Sequence, residues 1–575
     1  MKAESPRDRI SVIVIGAIAL SSLAIFTGCR VSRPDSDHAK SQILYSVVAS
    51  DPRTFNPILI TDSTSGTLTG DLFEGLLRLN PVTNLPEAGI AEKWEIAPDN
   101  KTITFHLRHG MKWFDGQPVT AHDVLFTLDV IYDPKVPNSY RPALTIDHQR
   151  ILAEAPDDYT VVMHTPKPFA PLLYSLGIQV IPAHILEAAW KAGNFNHMWG
   201  IDTPADQLVG SGAYKMVRYA QSQVVNYVRN EDFWMKDEHG GQLPRLHGQN
   251  VTIVQDQNAE YLRFLSGQID VYDPRPEEVY PLEQKRDSHE LDITVQSVGI
   301  DTGSLFFTFN RNPRHFVKDG VTNPKLSWFT DLKFMQAMAH MVDKKSMIDL
   351  VFHGLAEPAV ADISPENKIF HNPNLKDYDY DPKMAADLLE AAGYHLVKPG
   401  LRTDPKGNPL EFDLTTNTGN PQRDQMCTIY KQDLESLGIK VNYRPLEFTT
   451  LVDKLDSSFD WDCVLMGFGG GMEPNDASNF YRSSGNLHLW DPNQPTPATP
   501  WEVEIDTLLD EGASEMDITK RPQYYWQIQQ ILHDQLPIIE TVRQQRYASW
   551  KNSLENYQPK VWGLYKSEWI EFKPD

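Results

Sequence analysis

Four groups of residues have types and spacings that chemistry would need. His106 and His109, with His122 nearby, suit a metal by ligand type. His106 falls on the polar side of an alternating run that ends at His109 and Gly110, so solvated imidazoles are expected instead. Asp377, Asp379 and Asp381 match the opening of a calcium loop, but Pro382 replaces its glycine and Leu388 its closing glutamate. Asp381 before Pro382 reads better as a helix cap. Met335, Met338 and Met341 recur at helical spacing and read as core fillers. Gly469, Gly470 and Gly471 follow an apolar run at 462–468, where a chain without Cβ atoms admits another backbone at close range. That backbone is the protein's own or a ligand's, and the ligand is the preferred reading. No G-x-S-x-G elbow, H-E-x-x-H pair, C-x-x-C or P-loop occurs. The expectation is that the chain carries no catalytic residues, metal or cofactor.

Cysteine chemistry divides by position. Cys29 follows an apolar run at 10–26 and the small pair Thr27-Gly28, with Lys2, Arg7 and Arg9 ahead of the run. The pattern resembles a bacterial lipobox, whose cysteine is acylated and becomes the first residue of the mature chain. Residues 1–28 then form a lipoprotein signal peptide, and polar residues 29–40 a flexible tether. The alternative, an uncleaved anchor helix, would be at the short end of the spanning range. Cys427 and Cys463 either pair or stay free; Cys463 lies in an apolar run that suits a buried thiol.

The elements that must position these residues are interleaved strands and helices. Ile103, Phe105 and Leu107 alternate with polar residues as a half-buried strand, and Thr120 with Asp123 caps a helix through Leu128. A helix over 258–266 is expected to bury Ala259, Leu262 and Leu265, with Gly267 ending it. Helices closed by Gly393 and Gly438 precede strands, the grammar of α/β lobes with sheets covered by helices. The chain has 575 residues, 41% hydrophobic, with a net charge of −24. Mean hydropathy is −0.41, which excludes a polytopic membrane protein. The acidic balance opposes nucleic-acid binding, which needs clustered cations.

Ordered motifs covering nearly everything after residue 41 resemble the peptide-type (family 5) solute-binding proteins of bacterial ABC importers, the oligopeptide- and dipeptide-binding family. They include DPRTFNP at 51–57, DLFEGL at 71–76, LPEAGIAEKW at 85–94 and MKWFDGQPV at 111–119. GSGAYK at 210–215, RNEDFW at 229–234 and SGQID at 266–270 come next in order. The resemblance implies a two-lobed, hinged α/β clamp. One lobe would span 41–298 plus 535–575, with an inserted subdomain at about 71–170; the other would span 299–534. The chain would cross the hinge near Val298-Gly299 and near Leu536-Pro537. The implied partners are a peptide or peptide-like solute, a permease and ATPase complex, and a membrane reached through the lipid, for a monomeric protein of the cell envelope. A ligand sensor of the same fold, or a binder of a glycan fragment or metal chelate, is the alternative.

The resemblance also assigns ligand-facing positions: Thr61, Asp62 and Ser63, Tyr140, Asn417, and Phe468 with Gly469, Gly470, Gly471 and Glu473. Taken alone, 61–63 and Asn417 equally suit polar turns. In the family an aspartate just past the strand equivalent to 462–468 binds the peptide's amino terminus. Here that position falls on Gly470 or Gly471, and Leu465 replaces a basic residue used by some oligopeptide binders. A buried ammonium without a counter-charge is costly. A free amino terminus is therefore not expected at that spot unless Glu473 or Asp476 reaches in. Palmitate labelling checks the anchor: wild type should be labelled and Cys29→Ala should not.

Overall fold

The computed structural model describes His38, residues 40–60 and residues 62–574. Cys29, the apolar run before it and Thr61 lie outside the described residues. Among the described residues, no helix is long and apolar enough to cross a membrane. The tether expected over 29–40 ends early, because His38 is already buried against the globule. Its Nδ1 lies 2.9 Å from Asp270 Oδ1 and its ring stacks on Tyr45 at 3.7 Å. Lys551 Nζ is 2.9 Å from the same carboxylate. Asp270 is fully buried, so it needs these partners.

The first lobe is built on two sheets. Ile43–Val48 runs parallel to Gly248–Ile253, and Val224–Arg229 and Tyr214–Ala220 complete that sheet in antiparallel fashion. Ala91–Ile96, Thr102–Leu107, Thr160–His164 and Leu152–Asp157 form the second, wholly antiparallel one. Ile103, Phe105 and Leu107 are buried, as their alternation predicts. Asp123 Oδ2 accepts the Thr120 N–H at 2.9 Å and opens the helix Ala121–Tyr132, one turn longer than expected. Buried residues between 55 and 251 form one continuous cluster, so the segment at about 71–170 shares its core with the rest of the lobe.

The second lobe centres on a mixed sheet in the order Lys440–Tyr443, Glu411–Thr415, Cys463–Phe468, Ser304–Phe309, Ile538–Glu540. Its middle strand is buried on both faces and accordingly reads as a continuous apolar run. Asp381 caps the helix Pro382–Ala391 through a 2.9 Å bond from the Met384 N–H. Gly393 and Gly438 take φ of +87° and +81° where the helices stop. Met335, Met338 and Met341 are core residues, and Cys427 and Cys463 are free, buried thiols. His106 lies 3.7 Å from Glu95 and His122 3.9 Å from Glu187, while His109 packs on the Tyr159 ring.

One helix turns a different face inward. In Gln257–Leu265, Leu262 is 61% exposed, and Tyr261, Phe264 and Leu265 pack on Ile269, Tyr272 and Val279. The aromatic rings bury more area than the aliphatic stripe of 259, 262 and 265, and they set the phase.

The lobes are joined by two strands. Ile293–Ile300 leaves the first lobe with a register shift between Ser297 and Gly299. On the return path Ile538–Glu540 still pairs with Ser304–Phe309, beyond the crossing expected at Leu536-Pro537. The strand Val542–Lys551 then pairs with Ala356–Pro358 through Gln544 and with Ile293–Ile300 from Gln545 onward. One continuous strand thus serves both lobes. Gly299 has φ +128°, and a Cβ there would lie 2.5 Å from Glu366 Oε1, whose carboxylate accepts the Ile300 N–H. Gly299→Ala should therefore cost about 1–3 kcal/mol, read as a lowered thermal midpoint.

Candidate functional site

One cavity lies between the lobes, and a second adjoins it in the second lobe, with Trp562 its one lining residue from the first. The larger, about 750 Å³, is walled by first-lobe residues including Phe73, Glu74, Arg78, Tyr140 and Tyr174, and closed by Asn475, Asp476, Ser478 and Asn479. The smaller, about 430 Å³, is lined by Phe468, the three glycines, Asp362, Asp476 and Trp562, among others. Asp476 and Asn479 line both, so the two are neighbouring compartments of one cleft. The volumes suit small ligands. The lobes touch around it: the Ala170 N–H donates to the Ala513 carbonyl at 2.8 Å, and Lys167 Nζ lies 3.7 Å from Asp510.

The cleft is at the carboxyl end of the central strand Cys463–Phe468, where an open α/β sheet leaves its crevice. Phe468 sits between Phe306 and Phe480, with ring centroids at 5.9 and 5.4 Å. Beyond it the glycine loop turns along the cavity wall. A Cβ on Gly470 would collide with the Thr302 carbonyl oxygen, so the close approach at that position is made by the protein's own backbone. Asn367 Nδ2 holds the loop by donating to the carbonyls of Gly471 and Met472 at 3.2 and 3.0 Å.

Glu473 and Arg521 anchor the next stretch of chain. Arg521 donates to both Glu473 oxygens at 2.6 and 2.7 Å, with both side chains at or below 1% exposure. Arg521 also donates to the Gly512 carbonyl at 2.7 Å and the Tyr525 hydroxyl at 3.0 Å. Glu473 caps the short 3₁₀ turn Pro474–Ala477 by accepting the Asn475 N–H at 2.9 Å. That turn carries Asp476 into the cleft. A Cβ on Gly471 would lie 3.5 Å from Asp476 Oδ2, so Asp476 brings its acid beside the position where the resemblance expects one. Burial pushes the Asp476 carboxyl up to about 7, and the Glu473 charge adds to this while Arg521 offsets it.

The other expected ligand positions divide. Tyr140 lines the larger cavity, and its hydroxyl donates to the Pro57 carbonyl at 3.3 Å. Asp62 caps the helix Ser63–Gly70, accepting the Ser65 N–H at 2.8 Å and its hydroxyl at 2.7 Å. Asn417 Oδ1 accepts from Arg423 at 2.7 Å. Asp62, Ser63 and Asn417 are absent from the walls of both cavities. Glu473 lines the smaller cavity, but its carboxylate is committed to Arg521. Glu74, Arg78, Tyr174 and Asp362 are wall residues that local sequence patterns do not single out. The one available signal is DLFEGL at 71–76, which contains Glu74.

Glu473→Gln should cost about 3–5 kcal/mol in a denaturant titration, because it leaves the buried Arg521 guanidinium without its counter-charge.

Comparison with known proteins agrees with this architecture. The model of the bacterial extracellular solute-binding proteins, family 5 (middle), matches residues 86–487. A probable ABC transporter-binding protein of Deinococcus radiodurans is 28% identical over 574 residues, covering 95% of each chain. The oligopeptide-binding protein OppA of Bacillus subtilis is 26% identical over 553 residues, covering 92% of each. The crystal structure of the substrate-binding protein CtaP of Listeria monocytogenes superposes with a TM-score of 0.75 at 22% identity, covering 92% of this chain and 99% of that one. The extent of the family match and the two-lobed frame lead to one conclusion: this chain belongs to the bacterial extracellular solute-binding proteins of family 5.

Proposed function

We propose that the protein captures peptides with a free amino terminus between its lobes and delivers them to an ABC permease, held at the membrane by an acylated Cys29. The observation that carries this reading is Asp476. It is a cleft carboxyl with a wall position in both compartments, adjacent to Gly471. An ammonium there would gain the counter-charge that Gly470 and Gly471 do not supply. The names of the relatives, among them oligopeptide- and dipeptide-binding proteins, support peptides as the solute class. A relative named heme-binding protein A, from Haemophilus influenzae, supports a non-peptide solute as the second reading.

Binding would act on a conformational equilibrium. A ligand touching both walls stabilises only the closed form and shifts the population toward it. The permease would then select the closed form. The protein itself makes or breaks no bond.

The test is intrinsic tryptophan fluorescence with free and amino-acetylated tripeptides. Asp476→Asn should weaken a free tripeptide by roughly 30-fold or more, as for other buried charge pairs, and should affect the acetylated one little. Equal losses for both would contradict an ammonium at Asp476. The pH dependence comes from the carboxyl's raised position near 7. Asp476 must be ionised and the peptide amine protonated, so affinity should fall as pH drops through 7, by roughly three- to fivefold from pH 8 to pH 6, because the peptide's own amine is already part-neutral at pH 8.

A further inference from the structure

The cleft walls carry four acids, Glu74, Asp362, Glu473 and Asp476, and, among the described residues, one cation, Arg78. Glu473 is answered by Arg521. Arg78 is shared: its Nη2 pairs closely with Glu568, and its Nε lies 3.4 Å from Glu74 Oε2. Glu74 is the less well served of the two acids. Its Oε1 is 3.5 Å from Arg78 Nη2 and the Trp234 indole lies close by, but no donor meets its Oε2 in hydrogen-bond geometry, although the residue is only 5% exposed. Asp71 adds a further negative charge behind it. Burial is the main influence on Glu74 and pushes its carboxyl up to about 7, with Arg78 opposing.

A second observation comes from the same cavity. The Tyr174 side chain is 7% exposed, lines the larger compartment, and its hydroxyl has no hydrogen-bond partner. A buried hydroxyl in that state is costly unless a ligand atom completes it. Phe73 and Tyr140 line the same wall and offer apolar faces. A long basic side chain matches this combination: its methylene stem can lie along aromatic rings while its charged head reaches an acid. An acidic side chain would meet Glu74 and Asp476 with no unshared cation among the described residues of either wall.

We propose that the larger compartment is a subsite for a positively charged side chain, with Glu74 taking the charge and the Tyr174 hydroxyl a further polar atom of the ligand. The substrates are then basic peptides, selected by lysine or arginine against glutamate or aspartate. This rests on the peptide reading above.

Isothermal titration with Ala-Ala-Ala, Ala-Lys-Ala, Ala-Arg-Ala and Ala-Glu-Ala tests it. The lysine and arginine peptides should bind most tightly, and the glutamate peptide at least roughly tenfold more weakly, a difference of about 1.4 kcal/mol. In Glu74→Gln the ratio between the lysine and glutamate peptides should collapse toward one. Tyr174→Phe should weaken the lysine peptide and keep the order. Equal affinities across the four peptides, or a preference for the glutamate peptide, overturn the charge selection and leave the peptide reading standing. Binding of none of them overturns both. Should Glu74→Gln fail to fold, the wild-type ranking alone decides.

Discussion

The cleft depends on one buried ion pair. Glu473 and Arg521 are both sealed from solvent, and taking two charges out of water is costly unless every donor and acceptor finds a partner. Here nearly all of them do. Besides its two bonds to Glu473, Arg521 donates to the Gly512 carbonyl and the Tyr525 hydroxyl, and Glu473 receives the Asn475 N–H. The pair therefore ties the loop after the central strand to the start of the helix Pro522–Gln535 and to the end of Pro500–Ser514. Asp476, three residues past Glu473, is held in the cleft as a consequence. Burial is the main reason its carboxyl is raised; the Glu473 charge adds to this and Arg521 offsets it.

That arrangement separates structural acids from available ones. Glu473 resembles a ligand group by position and is spent on the scaffold. Asp476 and Glu74 line the larger cavity, and Glu74 shares its one cation, Arg78, with Glu568. Around them, the strand Val542–Lys551 belongs to both lobes, so the walls can move apart while their inner geometry is kept. Contacts such as Ala170 with Ala513, and the burial of Tyr174 among second-lobe residues, hold the two walls together.

Local features are legible in the sequence because their causes are local. The alternation of Thr102–Leu107, the Thr120–Asp123 cap, the Asp381 cap and the glycine stops at 393 and 438 each depend on residues within a few positions. The ordered motifs also indicate a two-lobed clamp. The hidden features depend on distant partners. Glu473 meets Arg521 across 48 positions, and nothing near Glu473 announces that pairing. Gly470 is required by the Thr302 carbonyl, which comes from the neighbouring part of the sheet. The helix Gln257–Leu265 shows two competing stripes, and only its packing against Tyr272 and Val279 decides between them. His38 looks like tether by sequence because its counterpart, Asp270, lies far along the chain.

The cleft's central function, on this reading, is to hold a peptide by its ammonium at Asp476. Native mass spectrometry of the protein purified with its bound solute tests this most directly, with Asp476→Asn purified in parallel. Co-purified masses on the wild type should fragment as peptides with free amino termini and should be lost from the variant. A heme, a metal chelate or a glycan on the wild type, or the same peptides retained by Asp476→Asn, would contradict it.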